Sequence, residues 1–233
     1  MSLDLDDVEA QKRSAAEAAV GQIEPGMLVG LGTGTTAALA IAALARQVGA
    51  GLTIQAVATS ERTAAAARQA GIHVIDFAEV QQIDLAIDGV DEIDGRFRAI
   101  KGGGGAMLRE KIVASAARCM IAIADARKPV RKLGDRPVPL EVLPFARSLV
   151  LRRVRELGSE AAVRMVGDTP FRTDQANLVI DCRFANLDDP QQLARDLGSI
   201  PGVLGHGLFL REIDRLYVGT RNGVERHDRP NIL

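Results

Sequence analysis

A lysine, a run of four glycines and a glutamate stand close together near the middle of the chain. Lys101 precedes Gly102–Gly105, and Glu110 follows five residues after that run. Four consecutive glycines lose much conformational entropy on folding, and such a run suits backbone that wraps around a ligand at the start of a helix. Lys101 supplies a positive charge there, and Glu110 falls about one turn into the predicted helix. The segment predicts an electrophilic group and a general base around one small substrate, although Arg109, Glu110 and Lys111 alone would suit a solvated helix face.

A second glycine-rich segment, Gly-Leu-Gly-Thr-Gly-Thr-Thr over residues 30–36, lies between a predicted strand and a predicted helix. Glycine lets the backbone turn sharply and approach an anion closely. The free N–H groups at the start of a helix face such an anion, and the three threonines add hydroxyl donors. The segment favours a phosphate monoester. Two alternatives stay open: a dinucleotide, because the glycine spacing matches a dinucleotide fingerprint with Glu61 near the end of the next strand, and a tight turn without a ligand.

A third segment carries four acidic residues within seven positions, from Asp88 to Asp94, directly after a predicted apolar strand. In open α/β sheets, ligands bind at the carboxyl ends of the strands. Carboxylates accept hydrogen bonds from sugar hydroxyls, so this segment predicts contacts to a sugar. A Mg²⁺ site and a solvated acidic turn are the alternatives. The spacing does not match an EF-hand, so a calcium site is not expected.

These three loops follow three predicted strands and should meet at one edge of a sheet. They offer a phosphate cradle, carboxylates, a lysine and a glutamate, and neither a histidine nor a cysteine stands among them. Such a set is suited to moving a proton next to the carbonyl of a phosphorylated sugar. A free glutamate, with a pKa of about 4.3, is a weak base for a C–H proton, so the site must also stabilise the enediolate that forms.

The elements that would position these residues alternate between strand and helix as far as about residue 130. This alternation predicts an α/β fold with a parallel sheet and helices on both faces. Apolar runs and helical periodicity predict helices at 4–23, 36–48, 61–70 and 107–117, and strands at 27–31, 53–59, 72–75, 85–87 and 119–124.

The pattern changes after Arg131, where four prolines fall between positions 129 and 144. A smaller α+β domain is predicted over 133–206. The tail, 207–219, is predicted to return to the first sheet, so that 1–132 and 207–233 form one catalytic domain. Within the smaller domain we predict helices at 145–157 and 190–197 and strands at 161–165 and 177–183.

Composition excludes several classes of protein. The 233 residues are 47% hydrophobic and carry 29 basic against 30 acidic residues, so the basic excess of a nucleic-acid binder is missing. No apolar run approaches the ~18 residues of a membrane span, and the acidic N-terminus shows no signal-peptide pattern. Cys119 and Cys182 lie in apolar segments, which favours reduced thiols and a cytoplasmic location. His73, His206 and His227 show no metal-ligand spacing.

Three motifs closely resemble those of the type A ribose-5-phosphate isomerase family: GLGTGTT at 30–36, DGVDEID at 88–94 and KGGGGAMLREKIVA at 101–114. Further matches are IADARK at 123–128, PLEVLPFAR at 139–147 and IPGVLGHGLF at 200–209. The resemblance implies a Rossmann-like domain with a smaller inserted ferredoxin-like domain. It also implies interconversion of D-ribose 5-phosphate and D-ribulose 5-phosphate in the non-oxidative pentose phosphate pathway, without metal or organic cofactor, in a homodimer or larger homo-oligomer.

The resemblance also assigns roles to individual residues. Glu110 would be the base that moves a proton between C2 and C1, while Lys101 and the glycine loop would stabilise the enediolate. Asp88 and Asp91 would hold sugar hydroxyls and assist ring opening, and Lys128 would be a further cationic contact. The substrate-binding set would comprise Thr33, Gly34, Thr35, Thr36, Asp88, Gly89, Val90, Asp91, Lys101, Gly102, Gly103, Gly104 and Lys128.

Some assignments stay open at this point. Lys12 in the first helix either reaches the phosphate or is a solvated lysine, and Glu92 and Asp94 are expected to be structural acids. Alternative functions are another sugar-phosphate enzyme, a non-catalytic sugar-phosphate sensor and a dinucleotide-binding oxidoreductase. A membrane or nucleic-acid partner is not expected.

Overall fold

Most helices of the chain begin and end close to the predicted positions. The computed structural model describes residues 5–230. Within this range the α-helices are α1 (Leu5–Val20), α2 (Thr35–Gly49), α3 (Glu61–Gln69), α4 (Met107–Ala116), α5 (Arg147–Glu156) and α6 (Pro190–Gly198). Asp4, the predicted first residue of α1, lies outside the described residues.

The strands are short, and several were not predicted. Over the same residues they are β1 (Leu28–Leu31), β2 (Gln55–Ala58), β3 (Leu85–Gly89), β4 (Glu92–Asp94), β5 (Ala99–Ile100), β6 (Met120–Asp125), β7 (Pro129–Val130), β8 (Val138–Val142), β9 (Ser159–Val163), β10 (Met165–Val166), β11 (Thr169–Pro170), β12 (Leu178–Phe184), β13 (Val203–His206), β14 (Leu208–Phe209), β15 (Arg215–Thr220) and β16 (Gly223–Asp228). Short 3-10 helices cover Phe77–Glu79 and Pro144–Ala146.

One predicted strand, 72–75, is wrong. The segment pairs with β2 through a single bridge between Ala56 and Val74. The chain then turns into the 3-10 helix Phe77–Glu79, where Asp76 caps the turn by accepting a hydrogen bond from the Ala78 N–H at 3.0 Å. This local cap ends the strand pairing before a ladder can form.

The chain divides into two compact units, of which the first comprises the residues up to Val90, Arg109–Pro129, and the residues from Arg211 onward. Its sheet has six strands in the order β16-β15-β6-β3-β1-β2. Neighbouring strands are parallel except for the antiparallel hairpin of β15 and β16. The tail was predicted to return to the first sheet over 207–219, and β15 pairs with β6 of that sheet, whereas β14 pairs with β5 of the second unit.

Helices cover both faces of this sheet, as predicted. On one face, alanines of α1 and α2 such as Ala15 and Ala40 are buried against alternate strand residues such as Val29 and Leu31. The intervening Gly30 faces the other side, where a Cβ would lie 2.6 Å from Cγ1 of Val113 in α4. Small residues on helices and strands therefore permit close helix–sheet packing.

The second unit comprises Asp91–Leu108 and Val130–Leu210. Its larger sheet is antiparallel in the order β13-β8-β12-β9. In the chain, α5 lies between β8 and β9, and α6 lies between β12 and β13. The four strands and two helices therefore follow the β-α-β-β-α-β order of a ferredoxin-like fold. The predicted fold class is confirmed. Strand β8 was missed because prolines at 137 and 139 resembled a linker.

A second sheet of this unit is built from very short strands in the order β14-β5-β4-β7. Strand β4 occupies part of the acidic segment, which was predicted to be a loop. The predicted domains, 1–132 with 207–233 and 133–206, stay a prediction, and the second compact unit differs from the predicted small domain by including residues 91–108. Among residues 5–230, no helix is both long and apolar enough to cross a membrane.

Candidate active site

The carboxyl ends of four parallel strands lie along one edge of the sheet in the first unit. Strands β1, β2, β3 and β6 are parallel neighbours. Thr33, Ser60 and Lys128 lie in the segments after β1, β2 and β6, and Gly89 is the last residue of β3. Ligands of open α/β sheets bind at such an edge. The predicted loops after β1 and β3 lie at this edge, but the prediction that the glycine loop after Lys101 joins the same sheet is wrong, because that loop follows β5 of the sheet β14-β5-β4-β7 in the second unit.

Asp88 is held in place by backbone N–H groups. It is buried at the end of β3, and its Oδ1 atom accepts hydrogen bonds from the N–H groups of Thr33 at 3.1 Å and Gly89 at 2.7 Å. A Cβ on Gly32 would lie 2.0 Å from the same oxygen. Position 32 must therefore be glycine for this carboxylate to approach the loop, which explains one glycine of the first motif.

The hydroxyl of Thr33 belongs to a cluster of hydroxyls formed by Thr33, Thr59, Ser60 and Thr63. Thr33 Oγ1 donates to Ser60 Oγ at 2.9 Å and lies 2.7 Å from Thr59 Oγ1. Ser60 donates to Thr63 at 2.9 Å, and Thr63 donates to the carbonyl of Gly32 at 3.0 Å. The cluster fixes the loop after β1, and the predicted contact of Thr33 with substrate stays a prediction.

The start of α2 carries a lysine–hydroxyl pair. Gly34 is the residue before the helix, with a φ of 116° that favours glycine. Lys12 Nζ in α1 donates to Oγ1 of Thr35 at 3.1 Å, and a Cβ on Gly89 would lie 3.6 Å from Cβ of Thr36. A cation, two hydroxyls and the first N–H groups of a helix thus share one end of α2, a combination suited to a phosphate group.

Glu110 lies in the first turn of α4 and is 97% buried, since its exposed fraction is 3%. It stands three residues before Val113, the residue that lies under Gly30 of β1. Residues three apart share one face of a helix, so Glu110 lies on the sheet-facing side of α4, about one turn (~5 Å) nearer the carboxyl edge. The neighbouring Arg109 forms an ion pair of 2.8 Å with Glu61 of α3.

Lys128 lies in the turn after β6 and is half-buried. Its N–H donates to the carbonyl of Asp125 at 3.1 Å. Burial of Asp125 by itself would raise the pKa of that carboxyl, but hydrogen bonds from Arg127 outweigh burial and lower the pKa. Asp125 is therefore an ionised anchor for this turn at neutral pH.

In the second unit, a short hairpin brings Asp91 and Lys101 to the same end of two strands. Strands β4 and β5 are antiparallel with Glu92 opposite Ile100, so the residue before β4 and the residue after β5 are neighbours. The Asp91 N–H donates to the carbonyl of Ile100 at 2.9 Å. Lys101 is buried, and its Nζ lies 5.3 Å from the centre of the Phe209 ring, a cation–π contact.

The glycine loop makes a tight turn that needs its glycines. Gly102 has a φ of 102°, and its Cβ would lie 2.7 Å from Cβ of Met107. The Gly103 N–H donates to Oδ2 of Asp91 at 2.8 Å, and the Gly105 N–H donates to the Gly102 carbonyl at 2.9 Å. Gly103 and Gly104 are exposed at the tip of this turn, where their backbone is accessible to a ligand.

The other two acids of the segment have structural contacts, as predicted. Glu92 accepts hydrogen bonds from the N–H groups of Gly134 at 2.8 Å and Arg136. Asp94 accepts from the N–H groups of Arg96 and Arg98 and forms an ion pair of 2.6 Å with the Arg98 guanidinium. The contacts of Asp94 close the β4–β5 hairpin, and those of Glu92 hold the segment between β7 and β8. Neither set requires a bound cation.

Comparisons with known proteins agree with this architecture. The family model of ribose 5-phosphate isomerase A (phosphoriboisomerase A) matches residues 55–223. A ribose-5-phosphate isomerase A of Sphingopyxis alaskensis is 49% identical over 219 residues, which cover 94% of this chain and 96% of that protein. The chain belongs to the ribose-5-phosphate isomerase A family.

Solved structures of the ribose-5-phosphate isomerase A family have the same fold. The isomerase of Methanocaldococcus jannaschii superposes with a TM-score of 0.89 at 37% identity, covering 93% of this chain and 97% of that one. A D-ribose-5-phosphate isomerase in complex with phospho-erythronic acid superposes with a TM-score of 0.92 at 37% identity, covering 95% and 99%.

The motifs that indicated this isomerase family are brought together within each unit. In the first unit, Thr33, Gly34, Thr35, Thr36, Asp88 and Gly89 share the sheet edge, with Val90 buried directly after them. In the second unit, Asp91, Lys101 and Gly102–Gly104 form one turn. Sequence reasoning missed Thr59, Ser60, Thr63 and Phe209, and the N-cap signal of Ser60 before an alanine-rich helix could have indicated one of them.

Proposed function

We propose that this chain interconverts D-ribose 5-phosphate and D-ribulose 5-phosphate through an enediolate, as a step of the non-oxidative pentose phosphate pathway. The observation that carries the proposal is the placement of a buried carboxylate, Glu110, and the Lys12–Thr35 pair within one unit at the carboxyl edge of its sheet. A base and a phosphate anchor at one edge suit a phosphorylated sugar whose reacting carbons lie some distance from its phosphate.

Glu110 is the proposed base. It removes the proton from C2 of the open-chain aldose, and the electron pair of that bond forms the enediolate while negative charge develops on O1. The hydroxyl proton of O2 passes to O1, and Glu110 returns its proton to C1, which leaves a ketone at C2. The net reaction moves two hydrogens within the sugar and needs no external oxidant or reductant.

The remaining roles follow from the chemistry of each group. Lys101 and the glycine loop Gly102–Gly104 take up the negative charge of the enediolate oxygen. Asp88 and Asp91 hold sugar hydroxyls and assist opening of the ring. Lys12, Thr35 and Thr36 bind the phosphate, and Lys128 adds a further positive charge. The related isomerase that binds phospho-erythronic acid supports a phosphorylated sugar acid as a ligand of this site.

The proposed chemistry uses no metal and no organic cofactor. Among residues 5–230, no group of three or more His, Cys, Asp and Glu side chains is placed to hold a metal ion. Activity should persist in an excess of EDTA over a full time course. Loss of activity that Mg²⁺ restores would instead favour a cation at Asp88 and Asp91.

Location and assembly are part of the same proposal. A cytoplasmic location is supported by Cys119 and Cys182, which are unpaired thiols in the structure. Self-association into a homodimer or larger oligomer is supported by exposed apolar side chains near the start of α5, those of Leu143, Phe145 and Leu149, because a second copy would remove them from water.

The test is the isomerisation of ribose 5-phosphate by the purified protein in D₂O, followed by NMR. The proton that Glu110 holds can exchange with deuterium from the solvent before it is returned to the sugar. We therefore expect deuterium at C1 of the ribulose 5-phosphate formed. Glu110→Gln should lower kcat by at least about 10²-fold, the contribution of a positioned general base, while substrate still binds.

Glu160→Gln is the matched control, because Glu160 is an exposed glutamate of β9 in the other unit, and it should keep wild-type kcat. Near-native turnover by Glu110→Gln would remove Glu110 from the role of base. Tight binding of ribose 5-phosphate without any turnover by the wild-type protein would indicate a sensor rather than an isomerase.

A further inference from the structure

Arg164 contacts the glycine loop although it lies far from it in sequence. It stands between β9 and β10 of the second unit. Its Nη1 atom donates to the carbonyl oxygens of Gly102 and Gly103, at 3.0 Å each. One guanidinium nitrogen therefore holds two consecutive peptide groups of the loop.

Arg164 is itself fixed by Asp181 of the central strand β12. Nε donates to Oδ2 of Asp181 at 2.8 Å, and Nη2 donates to Oδ1 at 2.5 Å. Both side chains are largely buried, with 17% and 26% of their surfaces exposed. Such a bidentate pair fixes both the position and the plane of the guanidinium, so the loop is attached to the antiparallel sheet through a rigid link.

Fixing the carbonyls also fixes the N–H groups of the loop. In a trans peptide the C=O and N–H bonds point in opposite directions. The peptide between Gly102 and Gly103 is held at both ends, by Arg164 on its carbonyl and by Asp91 on its N–H. The next peptide has its carbonyl on Arg164, so the N–H of Gly104 points away from the guanidinium.

Glycine makes this restraint necessary. Without a Cβ, a glycine peptide rotates between orientations at little steric cost, and a run of four has no side chain with which to fix itself. Phe171, which lies opposite Arg164 at the open end of the β10–β11 hairpin and donates its N–H to the Arg164 carbonyl at 2.9 Å, adds a second restraint. Its Cε1 atom would lie only 2.4 Å from a Cβ on Gly105. The centre of its ring lies 5.9 Å from Cζ of Arg164.

We infer that Arg164, held by Asp181, is a positioning residue for the isomerisation: it orients the two peptide groups between Gly102 and Gly104 so that the N–H of Gly104 meets the enediolate oxygen, while the N–H of Gly103 stays on Asp91. The inference rests on the proposed role of this loop. Arg164 acts through the loop, so its loss should affect the charged intermediate more than the binding of neutral parts of the substrate.

The test compares Arg164→Met, Arg164→Lys and Asp181→Asn with the wild-type enzyme. Three quantities are measured: kcat, KM for ribose 5-phosphate, and the inhibition constant of phospho-erythronic acid, whose carboxylate is negatively charged. Removing one donor of an oxyanion site lowers kcat by about 10²–10³-fold. Misorienting donors that remain present should lower kcat by at least about tenfold.

The expected result separates positioning from a purely structural role. In Arg164→Met, kcat falls and the inhibition constant rises by a similar factor, while KM changes by less than about threefold. Arg164→Lys, which keeps a cation but loses the bidentate pair with Asp181, gives an intermediate kcat. Asp181→Asn changes all three quantities in the same direction as Arg164→Lys.

Arg172→Met is the matched control. Arg172 also donates from Nη1 to a backbone carbonyl of the second unit, that of Ala176 at 3.0 Å, and it should keep wild-type kcat. Urea unfolding of each variant confirms that the protein is folded. If Arg164→Met does not fold, the Arg164→Lys variant carries the test. A wild-type kcat and a wild-type inhibition constant of phospho-erythronic acid in Arg164→Lys would then overturn the inference.

Lys101→Met distinguishes this inference from the proposed function. An inactive Lys101→Met with a fully active, folded Arg164→Met would overturn the positioning role and leave the proposed function standing. A fully active Lys101→Met would contradict the proposed role of the loop itself. Equal losses of kcat in Arg164→Met and Arg172→Met would also overturn the inference, because they would indicate a general effect on the unit.

Discussion

Replacing Asp88 separates its contribution to folding from its proposed role in catalysis. Its buried Oδ1 atom accepts two backbone hydrogen bonds, from Thr33 at 3.1 Å and from Gly89 at 2.7 Å. Asp88→Ala removes the acceptor of both hydrogen bonds. Asp88→Asn keeps an oxygen that can accept both hydrogen bonds but removes the negative charge.

The expected magnitudes follow from these two bonds. A hydrogen bond to a charged group contributes about 1.5–3 kcal/mol, so the loss of both should lower the free energy of unfolding by about 3 kcal/mol or more in Asp88→Ala. For a chain of this size that corresponds to a Tm lower by roughly 6–12 °C. Asp88→Asn should lose only about 1 kcal/mol, because neutral hydrogen bonds replace charged ones.

Activity should follow a different order from stability. Both variants lose the proposed charged acceptor for sugar hydroxyls, so kcat/KM should fall at least about tenfold in each. The measurements are urea or thermal unfolding and the isomerisation assay at 25 °C. Asp84→Ala is the control, because Asp84 accepts the Leu28 N–H at 2.9 Å at the opposite end of the strands, and it should lose stability while keeping wild-type kcat.

Two results would refute this reasoning. If Asp88→Ala unfolds at the same urea concentration as the wild-type protein, the two N–H bonds do not hold the loop after β1. If Asp88→Asn keeps full kcat/KM, the carboxylate has no part in binding or ring opening, and its burial is only structural.

Three further perturbations have defined outcomes. Lys12→Met should raise KM for ribose 5-phosphate about tenfold or more with little change in kcat, because it removes the proposed charged contact to the phosphate, whereas Lys132→Met should leave KM unchanged. Burial lowers the pKa of Lys111 to about 8, so the free energy of unfolding should rise between pH 8 and 10.5 as the folded state loses its proton first; Lys111→Met should abolish that rise in urea titrations. Gly30→Ala should lower the free energy of unfolding by about 1–3 kcal/mol through a clash with α4, whereas Gly49→Ala, with open space around it, should not destabilise the protein.

The parts of the fold that the sequence predicted correctly are those in which local pattern and tertiary structure agree. The helix after the glycine segment was predicted at 36–48 and is found at Thr35–Gly49, because an uninterrupted alanine-rich stretch can form little else. The strand before it was predicted at 27–31 and is found at Leu28–Leu31. Motif order then placed the polar loops after the right strands.

The hydroxyl cluster could not be predicted in the same way. The sequence suggested three threonine donors for one phosphate, yet Thr33 contacts Thr59, Ser60 and Thr63, which are 26 to 30 positions further along the chain. Nothing within residues 30–36 distinguishes Thr33 from Thr35. The difference arises only when β2 pairs beside β1 and brings the start of α3 to the same edge.

The contacts of Arg164 with the glycine loop and with Asp181 could not be predicted for the same reason. Its partners in the glycine loop are 61 and 62 positions away, and Asp181 is 17 positions away. An arginine between two short strands resembles any exposed strand residue. Only the pairing of β12 with β9 brings this arginine and Asp181 together.

The acidic segment shows how tertiary structure can relieve a repulsion that the sequence seems to leave unresolved. Four carboxylates within seven residues suggested either a cation or a ligand. In the fold, each carboxylate accepts hydrogen bonds from its own donors: Asp88 from Thr33 and Gly89, Asp91 from Gly103, Glu92 from Gly134 and Arg136, and Asp94 from Arg96 and Arg98.

This separation follows from the hairpin. Strand β3 ends at Gly89, and the chain reverses through β4 and β5 within a dozen residues, so successive acids face different surroundings. Donors from the backbone stabilise each charge without a shared ion. Because the four acids do not need a common cation to coexist, their clustering in sequence is no argument for a metal. Activity that persists in EDTA would therefore agree both with the proposed mechanism and with the stabilisation of these four carboxylates by hydrogen-bond donors rather than by a cation.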